Sequence, residues 1–286
     1  MSTPHAFSPP RPLPMRQIVG NHNILFVTLD TLRYDVAHQE LKSGNTPHLA
    51  SFIGGSWEER HSPGSFTYAA HTSFFAGFLP TPSKPQYTKA ERLWAARFAG
   101  SETSGPHTFV FEAADLVTGL KLTGYNTMCI GGVGFFNRQT ALSRQLPFLF
   151  DASYWNPTLG VTAQDSAANQ FSLAHQLLKA SSPRQLQFLF INVSAIHQPN
   201  YFYINTLTSS PQPCDTLDSH AAALRYVDSQ WPALCAAMDS RPEPWMYVVC
   251  SDHGTTYGED GYFGHRLAHP AVWTVPYAEG IWTSTR

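Results

Sequence analysis

Apolar residues in this chain occur in short, nearly continuous runs that are separated by longer segments of mixed polarity. Runs of this kind, in which polar and apolar positions do not alternate, are typical of strands that are covered on both faces of a sheet. We therefore predict strands at 23–29, 125–131, 187–193 and 245–251.

The segments between these runs carry the signals of helices. Helices are predicted near 46–54, 67–77, 109–122, 164–180 and 217–239. The last of these is amphipathic, and Pro232 is expected to kink it or to split it in two. Strands that alternate with helices indicate an α/β fold.

Two segments, 138–163 and 198–216, show neither pattern. The second follows a predicted strand and carries three aromatic residues among many polar ones. It fits a loop that faces a substrate and fits a plain surface loop equally well.

Length and composition limit the domain organisation. Residues 1–20 are proline-rich without an apolar core, so we expect an extended or disordered arm there and a single α/β domain over 21–286. No run approaches the eighteen apolar residues of a membrane span, which favours a protein without a membrane partner that stays in the cytoplasm. The four cysteines are widely spaced and form no CxxC pair, so a disulfide framework is not expected.

The charge of the chain bears on its partners. A net charge of −2 provides no basic surface for nucleic acid. Charged residues make up 13% of the chain, below the roughly 25% of ordinary soluble domains. A surface poor in charge favours a protein partner or a homo-oligomer.

Candidate metal ligands follow three of the predicted strands. Asp30 closes the first run, His197 lies four residues after the third, and Asp252 and His253 follow the fourth, with His265 at the end of the glycine-rich loop beyond them. Because ligands bind outside the carboxyl ends of parallel strands, these side chains predict a metal site. Aspartate and histidine together suit zinc first, with manganese possible. Each of these residues could instead have a purely structural role. Asp30, for example, could cap the helix that follows it.

Thr67 is a candidate nucleophile. It follows a Gly-Ser turn and opens the helical pattern TYAAHTSFFAG. A hydroxyl at the N-terminus of a helix beside a divalent metal is placed to ionise. The alternative reading is that Thr67, or equally Ser65, merely caps the helix.

Four segments together resemble the alkaline phosphatase superfamily, and within it the sulfatase-like and phosphoethanolamine-transferase-like branches. The segments are NILFVTLDTLRYD with the later TPHLASF, TYAAHTSFFAGFLP, LKLTGYNTMCIGGVGF, and SDHGTTYGEDGYFGH. In this register Thr67 stands where sulfatases carry the cysteine that becomes formylglycine, and His71 replaces an arginine. Gly132 and Gly134 replace the lysine and histidine that would bind sulfate.

The resemblance implies a three-layer alkaline-phosphatase-like fold, with a central, mostly parallel sheet flanked by helices. It implies a metal held by Asp30, Thr67, Asp252 and His253, with a second metal or the leaving group near His197 and His265. The carboxylate that would complete a second metal site is absent, because Val193 lies at its position. His71 and His269 are the expected substrate-binding residues.

The implied activity is that of a metal-dependent phosphoester hydrolase or phosphotransferase, which acts on a small phosphate or phosphonate ester through a phospho-threonine intermediate. One alternative is a metal-binding subunit of a biosynthetic complex, which is inactive or depends on a partner. A second alternative, a sulfate ester hydrolase, is opposed by Thr67 and Gly132.

Overall fold

The protein is described by a computed structural model, which covers residues 13–77, 95–96, 110–111, 115–204 and 214–284. In these ranges the strands are β1 (Asn23–Leu29), β2 (Glu58–His61), β3 (Ala95–Ala96), β4 (Val110–Phe111), β5 (Asn126–Ile130), β6 (Ala152–Tyr154), β7 (Gln187–Val193), β8 (Trp245–Cys250), β9 (Thr256–Tyr257), β10 (Phe263–Gly264) and β11 (Thr274–Trp282). The α-helices are α1 (Met15–Ile18), α2 (Tyr34–Lys42), α3 (Pro47–Phe52), α4 (Thr67–Ala76), α5 (Leu116–Leu122), α6 (Ala141–Arg144), α7 (Ser166–Ala180), α8 (Leu217–Met238) and α9 (Pro270–Trp273). Short 3₁₀ turns occur at Gly134–Phe136, Pro147–Leu149, Pro157–Leu159, Tyr201–Tyr203 and Glu259–Gly261.

The central sheet of the described residues has the strand order β2-β11-β8-β1-β7-β5-β6. The strands from β8 to β6 run parallel, while β11 pairs antiparallel with both β8 and β2. The two middle strands, β1 and β7, are buried along their whole length. This burial on both faces explains why their sequences are almost uninterrupted apolar runs.

Helices cover both faces of the sheet. Leu25, Val27 and Leu29 of β1 point to one core, which they share with residues of α2, α3, α7 and α8, whereas Ile24 and Phe26 point to a second core with α1, α4 and α5. Alternate side chains of one strand thus enter two different cores, as the pleat of a strand requires. The predicted three-layer α/β fold with a mostly parallel sheet is confirmed.

The structure differs from the predicted elements in the segment 109–122. Residues 110–111 belong to β4, and the helix begins only at Leu116. The side chain of Asp115 accepts a hydrogen bond from the N–H of Thr118, so this residue caps the helix at its start. Residues 109 and 112–114 lie outside the described residues.

The predicted split of the last long helix at Pro232 is wrong, since α8 runs from Leu217 to Met238 without interruption. Part of the predicted N-terminal arm is ordered as well. Residues 15–18 form α1, in which Ile18 is buried, and the N–H of Gly20 donates to the hydroxyl of Tyr125. Residues 1–12 lie outside the described residues.

None of the helices in the described ranges combines the length and the apolar character that crossing a bilayer requires. The longest of them, α8, instead packs one face into the core, where Leu224, Val227 and Leu234 are buried.

A buried carboxylate joins α8 to α3. Asp228 lies in the middle of α8, and its side chain accepts a hydrogen bond of 2.7 Å from the backbone N–H of Leu49 in the first turn of α3. The N-cap of α3, Thr46, provides no side-chain hydrogen bond. The first turn of α3 is therefore capped by a side chain from another helix.

We expect Asp228→Ala to lower the free energy of unfolding by about 1–3 kcal/mol, because it leaves the buried N–H of Leu49 without an acceptor. Urea denaturation of the metal-free protein measures this change. Ser229→Ala alters the neighbouring exposed position of α8 and should change stability by about 0.5 kcal/mol or less. Equal effects of the two substitutions would contradict the capping role of Asp228.

Candidate metal centre and active site

The carboxyl ends of two neighbouring strands bring the candidate metal ligands together. Asp30 follows β1, and Asp252 and His253 follow β8, which pairs with β1 in parallel. One ligand atom from each of these three residues lies within 4.8 Å of the others, and all three side chains are buried. The predicted meeting of Asp30, Asp252 and His253 at one edge of the sheet is thus what the structure shows.

The hydrogen bonds of His253 leave one of its nitrogens directed at this cluster. Nδ1 lies 2.9 Å from the carbonyl oxygen of Gly254, so it carries the proton and donates it there. Nε2 is then an unprotonated acceptor, 3.6 Å from Oδ2 of Asp252 and 3.9 Å from Oδ1 of Asp30. Burial lowers the pKa of His253, which favours this neutral form.

Each aspartate has one oxygen that the protein binds and one that it leaves free. Oδ2 of Asp30 accepts from the side-chain amide of Asn192 at 2.9 Å, and Oδ1 of Asp252 accepts from the backbone N–H groups of Thr31 and His253. Oδ1 of Asp30 and Oδ2 of Asp252 are buried without a hydrogen-bond partner. Buried oxygens without a partner are the exception in folded proteins.

The pKa values of the two aspartates also indicate a site for a cation. Burial, together with the charge of Asp252, raises the pKa of Asp30 to about 6, and burial raises the pKa of Asp252 to about 7. The site therefore demands positive charge, as protons or as a cation. Two unpaired carboxylate oxygens and one imidazole nitrogen are a donor set that zinc accepts, so the residues present fit a divalent cation.

Thr67 lies beside the cluster at the first position of α4. Its hydroxyl oxygen is 3.4 Å from Oδ2 of Asp30 and 3.3 Å from Nε2 of His253, and the residue is 2% exposed. The N-cap residue is Phe66, and no side chain caps the helix. Neither Thr67 nor Ser65 therefore acts as the cap, and the free N–H groups of the first turn remain available to an anion.

His71 lies one turn further along α4, away from solvent. Its Nδ1 donates to the carbonyl oxygen of Thr67 at 2.7 Å, and its Nε2 lies 3.1 Å from the hydroxyl of Thr28. Burial lowers its pKa to about 3, so the ring is neutral. With no exposed surface and both nitrogens in use, His71 is placed to position Thr67 rather than to contact a substrate as the sequence predicted.

His197 and His265 stand next to the cluster but are not part of it. The ring of His265 is 4.6 Å from that of His253 and 5.7 Å from that of His197, measured between centroids. Both residues line a cavity of about 260 Å³ that also exposes Thr67. Burial and the neighbouring His253 and His197 lower the pKa of His265 to about 3, and its buried Nδ1 has no partner.

His269, the other residue predicted to bind substrate, has a structural position in the described residues. Its Nδ1 accepts from the N–H of Ala271 at 3.0 Å and caps α9, while its Nε2 lies 3.2 Å from Oδ2 of Asp260. It is not among the residues that line the cavity beside Thr67.

Several residues of the site have no counterpart in the sequence prediction. Thr31 has a backbone φ of 66°, which is unusual for a β-branched residue and directs its N–H to Asp252. Asn192 holds Asp30, and Thr28 links Asn192 to His71. Thr28 and Asn192 could have been recognised as polar interruptions of buried apolar strands, whereas nothing local marks the conformation of Thr31.

Comparisons with known proteins agree with this geometry. The sulfatase family model matches residues 22–278 of the chain. No curated protein matches the chain by sequence.

Three solved structures illustrate the shared fold. The soluble domain of lipooligosaccharide phosphoethanolamine transferase A from Neisseria meningitidis is 14% identical, with a TM-score of 0.61 over 92% of this chain and 78% of that one. The C-terminal periplasmic domain of EcEptC from Escherichia coli, in complex with Zn, is 15% identical, with a TM-score of 0.60 over 93% of this chain and 73% of that one. The lipoteichoic acid synthase LtaP from Listeria monocytogenes is 13% identical, with a TM-score of 0.58 over 93% of this chain and 66% of that one.

At these identities the structures show a common fold, and the family rests on the sequence match. Because that match extends from the start of β1 into β11, the chain belongs to the sulfatase family.

Proposed function

We propose that the protein is a metal-dependent phosphoester hydrolase or phosphotransferase in which Thr67 is the nucleophile. Membership of the family implies enzymatic chemistry on phosphate or sulfate esters. The observation that carries the proposal is the position of the Thr67 hydroxyl. It lies at an uncapped helix N-terminus, within 3.4 Å of two metal-ligand candidates, and borders a cavity.

Zinc is the metal that we propose, with manganese as the other candidate. Asp30, Asp252 and His253 would hold it, and Thr67 would complete the donor set. A bound divalent cation supplies Lewis acidity, which lowers the pKa of a neighbouring hydroxyl and offsets the charge of a phosphoryl group. The Zn complex of the E. coli domain of the same fold supports this choice.

A single metal site fits the described residues best. They contain one group of three potential ligands, Asp30, Asp252 and His253. Val193, at the position where a second site would need a carboxylate, is fully buried in β7. His197 and His265 are therefore proposed to contact the phosphoryl group or the leaving group from the cavity wall.

The reaction we propose has two displacements at phosphorus. In the first, the Thr67 hydroxyl gives its proton to solvent and its oxygen forms a bond to phosphorus, while the bond from phosphorus to the ester oxygen breaks and the departing alkoxide takes up a proton from solvent. In the second, water or an acceptor alcohol attacks the phospho-threonine, gives up its proton, and returns Thr67 to the hydroxyl form. The N-terminus of α4 stabilises the negative charge that develops on the phosphoryl oxygens.

A phosphorus ester fits better than a sulfate ester. An added Cβ at Gly132 would lie 2.4 Å from the carbonyl oxygen of Asn192 and 2.7 Å from Cβ of Ser194. The position where sulfatases carry a lysine therefore has no room for a side chain. Thr67 also cannot form the formylglycine on which the sulfatase reaction depends.

Removal and titration of the metal test the first half of the proposal. Since burial raises the pKa of Asp252 to about 7 and of Asp30 to about 6, a cation must displace protons from the metal-free site. We expect zinc affinity to rise with pH by about tenfold per pH unit for each displaced proton, most steeply below about pH 6, where both carboxyl groups are protonated, and to level off near pH 8. Calorimetric titration at several pH values measures this slope.

The same shifts set the stability of the metal-free protein. A carboxyl group whose pKa is raised on folding contributes stability below its unfolded pKa and loses it as pH rises through the folded value. The thermal shift caused by zinc should therefore grow from about pH 5.5 to about pH 8, and Asp252→Asn should remove it. Asp218→Asn, an exposed change of the same kind, should leave the shift intact. A zinc response that ignores both pH and Asp252→Asn would place the metal elsewhere.

Turnover of matched nitrophenyl phosphate, phosphodiester, phosphonate and sulfate esters tests the second half. We expect the zinc-loaded protein to prefer a phosphorus ester and Thr67→Ala to lower kcat by at least about 10³, while Thr67→Ser, which keeps a hydroxyl, retains part of the activity. Mass spectrometry of the quenched reaction should locate a phosphoryl group on Thr67.

Thr72→Ala is the matched control, because Thr72 is an exposed residue of the same helix whose hydroxyl donates to the carbonyl oxygen of Tyr68. It should leave kcat unchanged. Full activity of Thr67→Ala would refute the nucleophile. Zinc binding without turnover of any ester would favour the reading of the protein as a metal-binding subunit.

A further inference from the structure

The cavity beside Thr67 has two different walls. Apolar side chains, among them Val133, Phe135 and Val161, form one part of its lining. Polar side chains form the rest, including His197 and His265. With a volume of about 260 Å³, the cavity lies just below the range of pockets that enclose drug-sized molecules, so its ligand is small.

The charged side chain in the described lining of this cavity is positive. Among the described residues that line it, Arg266 is charged and none is an aspartate or a glutamate. The segment 134–145, which supplies part of the wall, contains Arg138 and Arg144, both exposed, and no acidic residue. Asp30 and Asp252 lie behind Thr67 with no exposed surface, and in the proposed function a divalent cation neutralises them.

Arg266 is anchored next to the nucleophile. Its backbone N–H donates to the carbonyl oxygen of Ser65 at 2.8 Å, and its guanidinium carbon lies 5.8 Å from the centroid of the Phe66 ring. No carboxylate in the described part of the chain forms an ion pair with it. The guanidinium of Arg266, an exposed residue, thus lies beside the cavity with its donors available to a ligand.

Arg266 follows His265 in the chain, and the two residues line the cavity together with Thr67. An anion that binds in the cavity would therefore gain from Arg266 without repulsion from a lining carboxylate, whereas a cation would be repelled by Arg266 and would find no carboxylate in the described lining to offset this repulsion.

We propose that the organic half of the substrate is small and carries a negative charge of its own, a carboxylate or a second phosphoryl group, and that Arg266 binds this charge. The inference rests on the proposed phosphoester chemistry for the position of the reacting phosphoryl group. It makes Arg266 a specificity residue that selects anionic esters over esters with a cationic ammonium group.

The test uses four stable phosphonates with matched three-carbon skeletons. They are propylphosphonate, 3-phosphonopropionate, propane-1,3-diphosphonate and 3-aminopropylphosphonate, and calorimetry gives the Kd of each for the zinc-loaded protein. We expect the two ligands with an anionic tail to bind about fivefold more tightly than propylphosphonate, and the ammonium ligand to bind least tightly. The Kd values of 3-phosphonopropionate and propane-1,3-diphosphonate show whether a carboxylate or a second phosphoryl group is preferred.

Substitutions of Arg266 assign the effect. Arg266→Gln should remove the preference for an anionic tail without changing the Kd of propylphosphonate, Arg266→Lys should keep the preference, and Arg266→Glu should reverse it. Arg184→Gln is the control, because Arg184 is exposed in the loop before β7, at the opposite end of that strand from the site, and its loss changes the net charge equally. It should leave the ranking as it is.

Three results would overturn the inference: tightest binding of the ammonium ligand, a ranking that Arg266→Gln leaves intact, or no binding of any phosphonate. Turnover of nitrophenyl phosphate, measured in parallel, separates this proposal from the previous one. A charge-ranked affinity without turnover of any of the nitrophenyl esters counts against the enzymatic function and supports the cavity assignment, whereas turnover without the ranking refutes the cavity assignment alone.

Discussion

The arrangement of this protein depends on keeping two carboxylates buried side by side. Asp30 and Asp252 follow strands that are neighbours in the sheet, so the parallel pairing of β1 with β8 fixes their separation. Backbone N–H groups and one side-chain amide satisfy half of their oxygens and leave the other half unpaired. Like charges at this distance, shielded from water, are strongly unfavourable, and a bound cation relieves them.

Neutral histidines surround this centre. Burial keeps the pKa of both His71 and His265 near 3, so neither ring supplies the positive charge that the carboxylates demand. His71 instead ends a chain of hydrogen bonds that begins at Asn192 in β7, passes through Thr28 in β1 and reaches the carbonyl oxygen of Thr67. The position of Thr67, the proposed nucleophile, is thereby tied to the two middle strands of the sheet. Rigid support of this kind is what a precisely placed reacting group requires.

The sequence predicted the central strands of the sheet but not its edge strands. The buried strands β1, β5, β7 and β8 are apolar runs, and the residues that follow β1 and β8 form the cluster of candidate metal ligands. The edge strands β2 and β6 were not found, because β2 is largely exposed and β6 has only three residues, so neither has a run of apolar side chains. The strand β11 was missed as well.

Within the site, the sequence identified residue types at strand ends but could not assign their orientation. His197 and His265 were expected as metal ligands, and the structure lines the cavity with them, because the direction of a side chain in a loop depends on tertiary contacts that have no local signature. The roles of His71 and His269 likewise depend on burial and on distant partners, Thr28 for one and Asp260 for the other.

The absence of a side chain at Gly132 has a consequence for the cluster of candidate metal ligands. Asn192, whose carbonyl oxygen fills the space that a Cβ at this position would need, also holds Asp30 with its side-chain amide and accepts from the N–H of Val133. A lysine at position 132 would displace Asn192 and with it the support of Asp30. The bare backbone at Gly132 thus serves as a spacer for the cluster of Asp30, Asp252 and His253, and a side chain there would disturb the cluster without contacting it.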